Sequence, residues 1–139
     1  MTGVQTCALP ISAKRHRVRV GIGTDVGGGT SLSMLRTLDE AYKVVQLGGQ
    51  RLSPLRAFYL ATLGSARSLY LDDRIGNFVA GKEGDFIVLD LAATPLMSRR
   101  MANTADVVER LFVLMMLGDD RSVLATHIMG RRESTRSMR

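Results

Sequence analysis

Apolar positions along this chain fall into short blocks separated by glycine, proline and polar turns. Residues 17–23 alternate basic and apolar side chains and then turn wholly apolar, as a strand entering a buried sheet does. Residues 33–47 place Met34, Leu35, Leu38, Ala41, Tyr42 and Val45 on one stripe at helical spacing, which predicts an amphipathic helix. Gly48-Gly49 ends it. Ser53-Pro54 reads as an N-cap followed by a first-position proline, opening a helix to about residue 63 with Leu55, Phe58, Tyr59 and Thr62 on one side. Gly64 is expected to break that helix, with another short one over 66–71. Residues 75–90 change character: Gly76, Gly81 and Gly84 punctuate them, and 86–89 are a continuous apolar strand. Asn103 or Thr104 is expected to cap a helix to Leu117, with Val107, Val108, Leu111, Phe112 and Met115 as its apolar face and Gly118 as its stop. Residues 123–129 read as a last strand. Residues 131–139 are polar and aperiodic and read as a disordered basic tail.

Composition narrows the class. Hydrophobic residues make up 45% of the chain and charged residues 23%, ordinary for a globular domain. No apolar run approaches the roughly 18 residues of a membrane span, so no membrane partner is expected. Of the net charge of +6, Lys14, Arg15, Arg17 and Arg19 carry +4. Arg131, Arg132, Arg136 and Arg139 against Glu133 carry +3, which leaves a body of −1. Basic character confined to two terminal clusters, with 5% aromatics and no Trp, argues against a nucleic-acid partner. The single cysteine is Cys7, so the rest of the chain forms no disulfide and no thiolate metal site. That fits a reducing, cytoplasmic setting.

The chemistry concentrates in V-G-I-G-T-D-V-G-G-G-T-S-L-S, residues 20–33. Its order is strand, acid at the strand's C-terminal end, flexible loop, helix. In a (β/α) barrel the C-terminal strand ends face the active site, so Asp25 is a candidate catalytic or metal-binding carboxylate. The alternative for Asp25 is a helix N-cap. Gly27, Gly28 and Gly29 either let backbone approach a flat ligand closely or form a loose turn. The G-x-G of Gly21 and Gly23 lacks the third glycine of a dinucleotide fingerprint, since position 26 is Val, and no second βαβ unit follows. His16 and His127 stand outside any metal-ligand spacing and read as solvated or packed. Asp72, Asp73, Asp85 and Asp90 read as turn or strand-end acids, and Lys82 as a turn residue.

G-T-D-V-G-G-G-T-S and the S-M-L-R-T-L-D-E-A-Y-K-V-V-Q-L after it closely resemble the guanine deaminases of the amidohydrolase superfamily. The resemblance continues through R-L-S-P-L-R-A-F-Y-L-A-T-L-G-S-A-R-S-L, I-G-N-F-V-A-G-K-E-G-D-F-I-V-L-D and L-G-D-D-R-S-V, and covers roughly residues 18–131. It implies an α/β fold: the last strand and C-terminal helices of a (β/α)8 TIM barrel over 13–74, and part of a small β-sandwich with an intervening helix over 75–130. A complete barrel takes about 250 residues, so a chain of 139 is expected to be a fragment. The resemblance further implies a zinc-dependent aminohydrolase converting guanine and water to xanthine and ammonia. Asp25 would be both metal ligand and proton carrier, and Gly27, Gly28 and Gly29 would form a substrate loop. The family's histidine ligands are absent here, so this chain alone is expected to be inactive. A homodimer of the complete enzyme is also implied. Two alternatives stay open: another amidohydrolase deaminase of aminotriazine or thiomethyladenosine type, and a short non-enzymatic helical interaction module.

Residues 1–11 resemble the translation of a common sequencing adapter, and 1–12 are therefore expected to be non-native. The strands over 18–22, 86–89 and 123–129 are expected to lack partners that a larger protein would supply, leaving edges that template association.

Overall fold

The computed structural model describes residues 19–135, with side chains to residue 133. The adapter-like segment, the basic run with His16, and residues 136–139 lie outside the described residues. The fold is mixed helix and sheet: α1 (Met34–Leu47), α2 (Pro54–Ala61), α3 (Leu63–Ser68), β1 (Phe86–Leu89), α4 (Pro95–Met101), α5 (Val107–Leu117), β2 (Val123–Ile128) and β3 (Arg131–Thr135).

The helical core joins α1, α2 and α5 through Leu38, Ala41, Leu52, Ala57, Leu60 and Met115. Helix α1 keeps its expected length, and Gly49 with φ 72° turns the chain after it. Tyr42 meets Phe112 edge-on across α1 and α5, with ring centroids 5.5 Å apart. Leu38 is 1% exposed at the centre of this cluster, while Leu47 on the same helix is 88% exposed. Leu38→Ala is expected to destabilise the chain by about 2–5 kcal/mol, because it removes apolar contact and leaves a cavity. Leu47→Ala should stay within about 0.5 kcal/mol. Urea denaturation of the two variants checks this; equal midpoints would show that the core is not where the packing places it.

Several expectations change. Residues 19–25 form neither helix nor strand. A strand needs a neighbour to complete its ladder, and this segment instead lies against α2 and α3, with Val20 and Ile22 packed on the core. The break between α2 and α3 falls at Thr62 (φ −123°, ψ −101°), whose Oγ1 donates to the Phe58 carbonyl at 2.7 Å, and Gly64 lies inside α3. Helix α2 buries Ala57 and Leu60 fully, Phe58 and Tyr59 pack half-buried against the core, and Leu55 and Thr62 are exposed. Helix α4 was not expected: Thr94 Oγ1 caps it by accepting from the Met97 amide at 3.2 Å, and Pro95 takes the first helical position. Asn103 and Thr104 close α4 by donating to the Arg99 and Met101 carbonyls. The cap of α5 is therefore Asp106, which accepts from the Glu109 amide at 2.8 Å. Helix α5 buries Val113, Leu114 and Met115, and Val107 is exposed.

Strands β1 and β2 find partners within the chain, in an antiparallel sheet of order β1-β2-β3. Register is set by Phe86 opposite His127 and Val88 opposite Ala125. Residues 131–135, expected as part of a disordered tail, are strand β3. The reason is the two-residue turn at Met129 and Gly130, both at positive φ (50° and 76°), which folds the chain back on β2. Asp85 Oδ1 accepts from the Met129 amide at 2.8 Å, and the Gly130 amide donates to the Gly84 carbonyl at 3.0 Å, tying this turn to the start of β1. Asp90 Oδ1 accepts from the Ala92 amide at a strand end, as its position suggested. No helix among the described residues is long and apolar enough to cross a membrane.

Candidate active site

The segment that carries Asp25 is pinned at Ile22. The Ile22 amide donates to the Leu60 carbonyl at 3.0 Å and to Ser65 Oγ at 3.2 Å, while the Ser65 hydroxyl donates to the Leu60 carbonyl at 2.7 Å. These bonds bind residues 21–22 to the α2–α3 junction. The approach is close enough that a Cβ at Gly21 would lie 2.5 Å from Ser65 Oγ and 2.6 Å from Ser65 Cα. A Cβ at Gly64 would similarly lie 2.9 Å from the Tyr59 carbonyl oxygen. The absent side chain at Gly21 and the small one at Ser65 therefore set how near the segment sits to α3, and Gly64 sets how near α3 sits to Tyr59 of α2.

Past this anchor the chain turns sharply. Asp25 has φ 51°, a left-handed conformation that Asp and Asn tolerate better than most residues. Its carbonyl accepts from the amides of Gly28 at 2.9 Å and Gly29 at 2.5 Å. A Cβ at Gly29 would meet the Thr24 carbonyl oxygen at 1.9 Å, so only glycine fits there. At Gly28 a Cβ would lie 2.9 Å from Asp25 Oδ2, so the carboxylate rests over that glycine. Gly27 has φ 99° and open space around it. Gly28 and Gly29 thus lie in a tight turn closed by the Asp25 carbonyl, and Gly27 contributes a positive φ with no steric contact.

The Asp25 carboxylate is exposed and, among the described residues, accepts no hydrogen bond and pairs with no cation. It is not a helix cap: α1 begins at Met34 behind Ser33, with Ser31 Oγ accepting from the Ser33 amide. A free carboxylate on a fixed turn can ligate a metal ion or accept a proton. Among the described residues, no group of three or more His, Cys, Asp or Glu side chains could hold a metal ion. His127 is packed in the sheet. Its ring stacks on Phe86 at 4.3 Å, and its Nδ1 is buried without a hydrogen-bond partner among the described residues. Lys82 Nζ donates to the Asp72 carbonyl, a turn contact.

Two positioning residues were not singled out from sequence. In the sequence Gly21 is half of a G-x-G pair, and Ser65 belongs to no chemical motif. Only the small size of Gly21 and Ser65 hints at a close approach, and nothing in the sequence pairs the two.

Residues 2–132 match the model of a family described as "Amidohydrolase family". The chain is 58% identical over 119 residues to a guanine deaminase of Escherichia coli (strain K12), covering 86% of this chain and 27% of that relative. Among solved structures, an E. coli guanine deaminase superposes with a TM-score of 0.88 at 55% identity, over 91% of this chain and 30% of that one. A guanine deaminase from Bradyrhizobium japonicum superposes with a TM-score of 0.74 at 39% identity, over 88% of this chain and 32% of that one. The chain therefore spans under a third of the length of these relatives.

Proposed function

The chain belongs to the amidohydrolase family, a family of hydrolytic enzymes, and from that premise we propose that it is the Asp25-bearing segment of a zinc-dependent guanine deaminase, cytoplasmic and acting as a homodimer. Residues 19–25 correspond in this reading to the last strand of a (β/α)8 barrel, and the β1–β3 sheet to part of a companion β-sandwich. The observation that carries the reading is the exposed, unpaired Asp25 carboxylate, held on a glycine turn at the end of a segment anchored through Ile22 and Ser65. Identity to the E. coli guanine deaminase over most of the chain supports the substrate.

Zinc, when bound, supplies a Lewis acid that makes water acidic enough to deprotonate near neutral pH. Asp25 has the two properties the remaining chemistry needs. Its oxygens are free to ligate, and its basicity lets it accept the proton of the attacking water and return it toward the departing ammonia. The turn keeps the carboxylate in place without consuming its hydrogen-bonding capacity, since only the backbone carbonyl of Asp25 is bonded to Gly28 and Gly29. Gly27, with open space around it, leaves room for a flat purine beside that carboxylate.

The test is a chimera in which residues 13–132 of this chain replace the corresponding stretch of the E. coli relative. Xanthine formation from guanine with added zinc is the expected result. A folded chimera that deaminates an aminotriazine or thiomethyladenosine but not guanine would overturn the substrate assignment.

A further inference from the structure

A cleft of about 400 Å³ gathers the guanidinium groups of Arg19, Arg56 and Arg67 around Tyr59, with Asp72 as the one acid lining it. The arginines are held mainly by neutral partners. Arg56 lies over the Tyr59 ring at 5.2 Å from its centroid. Arg67 Nη1 donates to the Tyr59 hydroxyl at 3.1 Å. Arg19 Nη1 donates to the Arg67 carbonyl at 3.1 Å, and its guanidinium lies over the Tyr70 ring at 4.8 Å. The exception is Arg67 Nε, 3.5 Å from Asp72 Oδ2.

Ring faces, a phenol and a carbonyl orient guanidinium groups without neutralising them. Among the described residues, three cations against one carboxylate leave the cleft lining at +2. Like charges brought together repel unless an anion joins them, and the planar guanidinium fork matches phosphate oxygens in pairs. We propose that this cleft binds a phosphoryl dianion, carried either by inorganic phosphate or by a nucleoside monophosphate. The volume exceeds what inorganic phosphate fills, which is why both carriers fit. This proposal does not rest on the deaminase reading.

The experiment titrates the 139-residue chain at low ionic strength with inorganic phosphate, adenosine monophosphate and adenosine, read by calorimetry. Saturable one-site binding of phosphate or of the monophosphate, with none of adenosine, is expected. Tighter binding of the monophosphate identifies a nucleotide as carrier, and equal binding identifies free phosphate. Arg56→Gln is expected to weaken binding about tenfold or more, the effect of losing a charge-assisted bond. It is the informative variant because, among the described residues, its guanidinium touches only the Tyr59 ring, so its loss leaves the Arg67 contacts standing. Arg131→Gln, on strand β3, should leave binding unchanged. Adenosine binding as tightly as its monophosphate, no saturable binding at all, no effect of Arg56→Gln, or equal weakening by Arg131→Gln would each overturn the proposal.

Discussion

Asp25→Asn in the chimera is expected to lower guanine turnover by about 10²–10⁴-fold, the worth of positioned proton transfer, with the fold unchanged. The substitution suits the site. Asn keeps the size of the side chain and an oxygen that can still ligate, but it loses the charge and cannot take a proton. It also tolerates the left-handed backbone at φ 51°, so the turn accepting the Gly28 and Gly29 amides should survive. A steady-state assay for xanthine, paired with a thermal melt, separates chemistry from folding. Near-normal turnover by a chimera with Asn at this position would remove Asp25 from the mechanism.

Gly21→Ala carries the second largest expected effect, and it acts through position. A methyl group there would fall 2.5 Å from Ser65 Oγ and 2.6 Å from Ser65 Cα. The first contact could be relieved by rotating a hydroxyl, but the second is backbone and cannot be. The segment must therefore lift from α3. That breaks the Ile22 bonds to Leu60 and Ser65 and draws Val20 and Ile22 off the core. Overpacking and lost hydrogen bonds together should cost about 2–4 kcal/mol. An ångström of displacement at Asp25 should lower turnover of the chimera by about 10²-fold. Gly23→Ala is the matched control, since nothing lies within 4 Å of a Cβ there, and it should stay within about 0.5 kcal/mol. Equal urea midpoints for the two variants would show that the segment is not held as described.

What could be read in the sequence was local. The apolar stripe and the Gly48-Gly49 stop gave α1 its length, because helical periodicity and the conformational freedom of glycine need no distant partner. Ser53-Pro54 marked the start of α2, and the apolar run marked β1, for the same reason. The G-T-D-V-G-G-G-T-S stretch pointed to Asp25, and family resemblance gave it a chemistry that spacing alone could not. The individual roles of Gly28 and Gly29 were not visible, since they depend on where the Asp25 carboxylate and the Thr24 carbonyl come to rest.

The remainder depended on contacts between distant parts of the chain. Residues 19–25 have a strand's pattern, but a ladder requires neighbours, and their hydrogen bonds go to Leu60 and Ser65 instead. The buried face of α2 was chosen by what packs over it, so Ala57 and Leu60 are fully buried, Phe58 and Tyr59 only half so, and Leu55 is exposed. Polar residues 131–135 gave no burial signal, yet they form a strand because the Met129-Gly130 turn returns them to β2 and backbone hydrogen bonds do not depend on apolar side chains. Ser65 shows the same division most sharply: its hydroxyl joins residues 43 apart in the chain, so its sequence neighbourhood gave no sign of that role, and only the folded chain brings Ile22 within reach.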